Sequence, residues 1–189
     1  MTCVSKISKD ILNSCDNVPV AGYEKKAWAM NREDVTLTLD ATTTNLVTGI
    51  ALASGEQAYT VTSVKKEMNG GFDLAAADNA PDTYPHYWSF QPYERDAESI
   101  KNFDDMSDIM IVVEAKGSKT EGCFIILGAE TGLYKTSASQ RANDNLGLPT
   151  YEFGSMEGQG ERYSRFVFWD SVSGTYAGSK AILVALETP

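Results

Sequence analysis

The chain has 189 residues, 42% of them hydrophobic and 22% charged, with nine tyrosines and a formal net charge of -10. That is the size of one domain with a sizeable core, and the composition excludes disordered, collagen-like and disulfide-stapled chains. No apolar run approaches the roughly 20 residues of a membrane-spanning helix, the start Met1-Thr2-Cys3-Val4-Ser5-Lys6 lacks the apolar centre of a signal peptide, and the negative charge argues against a basic DNA-reading face.

Strand signals dominate from the first third of the chain onward. Residues 23–30 around Trp28 predict one strand, and Val35-Thr36-Leu37-Thr38-Leu39 alternates cleanly as another. Asn45 to Ala53 and Gln57 to Lys65 flank Ser54-Gly55-Glu56, a spacing that predicts a β-hairpin with Tyr59, Val61 and Ser63 on one face. Asn69 to Pro85 holds two glycines, two prolines and few β-branched residues, so it reads as a long loop, a length usually found in functional or disordered segments. Residues 86–93 around Trp88 and Phe90 predict a further strand.

One helix is expected from about Arg95 to Asp105, where Ala97, Ile100 and Phe103 form a single apolar stripe. Asp96 and Glu98 suit its positive start, whereas Asp104 and Asp105 oppose the dipole at its end and predict fraying there. Ile109-Met110-Ile111-Val112-Val113 is apolar on both faces, as a central strand covered on both sides would be. Cys123 to Leu127 reads as its hairpin partner across the turn from Lys116 to Gly122. Later strands fit Gly132 to Ser139 and Tyr163 to Trp169; Gly154 to Gly160 reads as flexible, and Lys180 to Leu186 suits a strand or short helix, with strand preferred. The expected architecture is an all-β or β-dominated sandwich or barrel with one flanking helix: one domain over 1–189, with an N-terminal arm (about 1–22) and the long loop (about 69–85).

The acidic excess is local. Residues 1–70, 71–114 and 115–189 carry net charges of -1, -8 and -1, so the middle segment holds nearly all of it. Its acids are Asp73, Asp78, Asp82, Glu94, Asp96, Glu98, Asp104, Asp105, Asp108 and Glu114, against Arg95 and Lys101 alone. Clustered charge marks either a solvated loop and helix face or a surface with a task.

Catalytic chemistry is sparse. The sequence has no P-loop, Ser elbow, zinc cluster or dinucleotide fingerprint, so no catalytic residue, metal or cofactor is expected. Gly154-Ser155-Met156-Glu157-Gly158-Gln159-Gly160 lacks the strand and helix that would make it a phosphate cradle, and Asn143-Asp144-Asn145-Leu146-Gly147 lacks the remaining ligands of a calcium loop. The lone histidine, His86, sits in Tyr84-Pro85-His86-Tyr87-Trp88 and suits aromatic packing or a turn edge. Cys3, Cys15 and Cys123 have no metal spacing and read as reduced thiols, with a Cys3–Cys15 bridge left open. A glycoside-cleaving carboxylate pair could be drawn from Glu94, Asp104, Asp105 and Glu114 only if the fold set them in one cleft.

The pattern Ile7, Asp10-Ile11, Cys15-Asp16-Asn17, Gly22 and Asn31-Arg32-Glu33-Asp34 resembles small virion structural proteins encoded by phages and prophages of Bacteroidetes bacteria. Leu46 to Leu52, Val112-Val113-Glu114, Phe124 to Leu127 and Gly128-Ala129-Glu130-Thr131-Gly132-Leu133 keep the same order, and the pattern is lost between Arg141 and Arg162. Among such proteins the expected architecture looks most like a major tail tube protein of a long-tailed phage. The resemblance implies hexameric rings of this chain stacked into a virion tail, other virion proteins as partners, DNA only as transiting cargo, synthesis in the host cytoplasm and no membrane insertion. On that reading Asp96, Glu98, Asp104, Asp105 and Asp108 are candidate lumen-facing acids that keep phosphates from adhering. Asn69, Phe72, Asp73 and Tyr84 are the candidate inter-subunit loop. The competing readings are a capsid decoration or head–tail connector protein, and a carbohydrate-binding β-sandwich using Trp28, Trp88 or Trp169 as a stacking platform.

Overall fold

The structure is a computed structural model that describes residues 20–188, apart from 65–66, 79, 94–95, 118 and 145–146. The strands in chain order are β1 (Tyr23–Asn31), β2 (Val35–Leu39), β3 (Leu46–Leu52), β4 (Tyr59–Thr62), β5 (Asn69–Phe72) and β6 (His86–Phe90). Helix α1 (Ala97–Asp105) then leads into β7 (Ile109–Ala115), β8 (Phe124–Leu127), β9 (Tyr134–Ser139), β10 (Thr150–Gly154), β11 (Phe166–Phe168) and helix α2 (Tyr176–Ala185). The fold is β-dominated, with two sheets and short flanking helices. The larger sheet has the order β2-β3-β11-β8-β7-β1-β4, the smaller β5-β6-β10-β9. All pairings are antiparallel except β3 with β11.

Strand β7 explains the layering. Every residue from Ile109 to Glu114 is buried, and because side chains alternate across a strand the two sets serve different cores. Ile109, Ile111 and Val113 join Ala27, Ala29, Ile125 and Leu127 against Trp88, Phe90, Tyr151 and Phe153 of the smaller sheet. Met110 and Val112 join Trp28, Phe124, Ile126, Phe166 and Phe168 on the other face, which Leu183 of α2 covers. The result is three layers: small sheet, large sheet, helix.

Four expectations are corrected. Lys180 to Leu186 belongs to a helix, because Thr175 caps α2 by accepting from Gly178 N–H at 3.1 Å and the helix lays Leu183 and Ile182 on the second core. The segments around Ser54-Gly55-Glu56 are both strands but not a hairpin: β3 pairs with β2, and β4 crosses to pair with β1. The segment from Asn69 to Pro85 begins as a strand, β5 pairing Gly70 opposite Trp88, where a Cβ would lie 3.0 Å from both Leu127 Cδ1 and Tyr87 O. Thr150–Gly154 forms β10, a strand that the sequence reading omits. Most of the N-terminal arm, including Cys3 and Cys15, lies outside the described residues, as does Glu94.

Candidate functional site

The acidic segment is built around α1. Asp96 accepts from Ser99 N–H at 2.9 Å, which satisfies one of the helix's first free donors and holds the carboxyl below its usual range. Phe103 anchors the helix by packing against Phe90 and Tyr151 at ring separations of 5.6 and 5.1 Å. The end that Asp104 and Asp105 should destabilise is rescued from outside the helix. Lys135 of β9 donates to the Asp104 carbonyl at 2.8 Å and stands 3.7 Å from its carboxylate, and Lys101 pairs with Asp105.

Of the five candidate lumen acids, Asp96, Glu98, Asp104 and Asp105 lie exposed on or beside α1. Asp108 differs. It binds Arg32 in a two-pronged pair, Nε to Oδ1 at 2.6 Å and Nη2 to Oδ2 at 2.7 Å, and its backbone has φ of 50°. Gly132 makes room for this carboxylate, since a Cβ there would stand 2.0 Å from Asp108 Oδ1, and its own φ is +74°.

Beside α1 runs a groove of about 480 Å³ between the helix and strands β1 and β4. Phe103, Met106, Ser99 and Asn102 form one wall, and Tyr59 to Thr62 the other. Strand β4 is the last of the larger sheet, so this wall is a sheet edge.

The candidate inter-subunit loop has a closed neck. Phe72 and Tyr84 meet edge to face at 5.8 Å, the Arg165 guanidinium lies 5.6 Å from the Phe72 ring, and Ala75 and Thr83 exchange both backbone hydrogen bonds. Asn69 and Asp73 are exposed, with Asp73 N–H donating to Pro85 at 3.0 Å. Leu74, within this neck, is 58% exposed.

The fold does not assemble the carboxylate pair for sugar cleavage. Glu114 is buried under α2, accepting from Tyr176 Oη at 2.6 Å and Lys180 Nζ at 2.9 Å, whereas Asp104 and Asp105 belong to α1 on the opposite face of the large sheet. Trp28 and Trp88 are fully buried and Trp169 packs on the second core, so none of the three stands as an exposed stacking platform. Among the described residues no group of three His, Cys, Asp or Glu is placed to hold a metal, and no helix is long and apolar enough to cross a membrane.

Three buried titratable groups lie away from the acidic segment's helix. His86 accepts from Gly128 N–H at Nδ1 (3.2 Å), with its Nε2 at 3.3 Å from the Tyr163 carbonyl; that pairing requires the neutral Nε2–H tautomer, and burial lowers its pKa. Cys123 is buried and free, its thiol pushed up to about 11 by desolvation first and the nearby Glu114 second. Glu161, which sequence reasoning missed, is fully buried and accepts from Glu130 N–H at 2.9 Å and from the N–H and hydroxyl of Thr131 at 3.0 and 3.1 Å. Its burial raises its pKa, and it pins the loop Gly128–Leu133 from a strand-free segment 30 residues further on. No local pattern marks such a partner.

The chain was compared with protein-family models, curated proteins and solved structures, and none of them matches it.

Proposed function

We propose that this chain is a phage virion structural protein of the tail tube type, without catalytic activity, which closes into hexameric rings that stack around passing DNA. The observation that carries the reading is the larger sheet itself. Among the described residues it ends in β2 on one side and β4 on the other, and two different terminal strands can join neighbours head to tail, the arrangement that closes rings. Helix α1, with four exposed acids on and beside it, lies next to one of those ends, and Asp105 lines the groove between them. Carboxylates on a channel wall repel phosphates, so DNA slides past without adhering.

Negative-stain microscopy of the purified protein tests the assembly: stacked six-fold rings support the reading, and trimers or pentamers on a shell point instead to a capsid decoration protein. The electrostatic half is tested with Glu98→Gln, Asp104→Asn and Asp105→Asn combined, leaving Asp96 in place as the helix cap. Assembled tubes of this variant should retain DNA that wild-type tubes release, most strongly at low salt. Equal release from both would sink the lubricating role of these acids.

A further inference from the structure

The backbone geometry of the two terminal strands specifies how one copy would meet the next. In the β1–β4 ladder Ser63 N–H donates to Lys25 O at 3.0 Å, and the register sets Val61 opposite Ala27 and Tyr59 opposite Ala29. Hydrogen-bonded pairs in an antiparallel ladder recur every second residue. Tyr59, Val61 and Ser63 therefore spend their N–H and C=O groups on β1, and those of Thr60 and Thr62 turn outward. Val64 N–H, on the same outward side, already donates to Gln91 O at 3.0 Å.

At the far end of the sheet Ala53 N–H donates to Asp34 O at 2.9 Å, and Thr36 stands opposite Ala51. By the same alternation Thr36 and Thr38 face β3, and Val35 and Leu37 face outward. Val35 N–H is taken by Arg32 O, which leaves, among the described residues, its carbonyl and both groups of Leu37.

Two further facts agree. The outward residues of both edges carry their side chains on the same face of the sheet: Thr60 is opposite Trp28 of the second core, and Val35 and Leu37 pack on that core. Directly opposed residues in a continuous sheet must share a face. Following the pairings from strand to strand, β2 and β4 also run in opposite directions. A second copy added without flipping the sheet thus brings its β2 antiparallel to β4.

We infer that β4 of one copy pairs antiparallel with β2 of the next, Thr60 opposite Leu37 and Thr62 opposite Val35, so that one large sheet continues from subunit to subunit with α2 always on the same side. This rests on the ring reading above and names its contact. The occupant is a second copy of this chain, because its own opposite edge presents the complementary groups, direction and face.

The test is the full chain carrying Leu37→Cys and Thr60→Cys, oxidised mildly and mapped by peptide mass spectrometry. Within one copy the two positions lie at opposite ends of a seven-stranded sheet, about 29 Å apart at the usual strand spacing, so a 37–60 disulfide can form only between copies. Across the inferred pair the Cα atoms stand about 5.5 Å apart, within disulfide range. A dominant 37–60 link is expected. Dominant 60–60 or 37–37 links would show a two-fold contact and overturn the inference, as would a chain that stays monomeric. Thr60→Pro, which removes an outward N–H together with the hydroxyl that bonds Glu187, should keep the native near-ultraviolet dichroism and lose assembly, whereas Thr60→Val, which removes the hydroxyl alone, should assemble; if the proline variant misfolds, the cysteine pair decides alone. Linked rings that do not stack would retain this contact and discard the tube, and tubes without the link would do the reverse.

Discussion

Asp108 and Arg32 hold each other twice: the carboxylate takes both prongs of the guanidinium, and the Asp108 carbonyl accepts from Arg32 N–H at 3.1 Å. This ties the end of β1 to the start of β7. The left-handed backbone at Asp108 is tolerated because Asp is one of the few residues with a side chain that enters that region at small cost.

Asp108→Asn should therefore fold but lose about 1–2 kcal/mol, since the amide keeps the backbone preference and gives up the charged fork. Asp108→Ala should lose about 1 kcal/mol more through the strained φ. Arg32→Lys should behave like Asp108→Asn, a point charge replacing the fork. Urea midpoints of the three variants check the order, and an Asp108→Asn protein as stable as wild type would show the pair to be ornamental.

The neutral His86 predicts a pH dependence. Above its unfolded value of about 6.5 both states are uncharged and the full contribution is present. As pH falls below that value the unfolded chain takes up a proton, while the buried ring, with Nδ1 committed to Gly128 N–H, resists it. Stability is consequently lost on acidification, at up to about 1.4 kcal/mol per pH unit from this group. Urea midpoints between pH 7.5 and 5.5 should fall more steeply for wild type than for His86→Gln. Parallel slopes would remove His86 from the account.

Glu114, Tyr176 and Lys180 form a closed triangle, the last two separated by 2.8 Å, that fastens α2 to the central strand. Glu114→Ala should cost about 1–2 kcal/mol, because it removes the acceptor that Lys180 and the Tyr176 hydroxyl share, while Lys180, 40% exposed, keeps water and Tyr176 as partners. Glu114→Leu combined with Lys180→Met should recover more than half of that loss, as replacing both members of a sheltered pair by apolar groups commonly does. Chemical denaturation of the single and double variants decides it, and additive losses would mean that the charges do not act as a pair.

How much of this was legible depends on how local each feature is. Strand β7 could be read because Ile109 to Val113 contains no polar residue, and α1 because its apolar stripe and its Asp96 cap lie within nine residues of one another. The helix α2 was misread because Ala181 to Leu186 is apolar without a break, so no period separates helix from strand; Thr175, its cap, was the overlooked signal. The partners of the acidic site were hidden by distance. Arg32 lies 76 residues from Asp108 and Lys135 lies 31 from Asp104, and only the closed sheets bring them together.

Strand β11 has a bearing on the order of events during synthesis. Among the described residues its three, Phe166–Phe168, form the strand that joins the β2–β3 hairpin to the rest of the large sheet. Until the ribosome has delivered them, a nascent chain holds two incomplete half-sheets with inner edges unpaired, β3 on one and β8 on the other. Such edges are sticky. The chain therefore stays vulnerable to misjoining until late in its translation, and the distance between its two outer edges, on which any regular joining of copies depends, is fixed only when that short wedge slots into place.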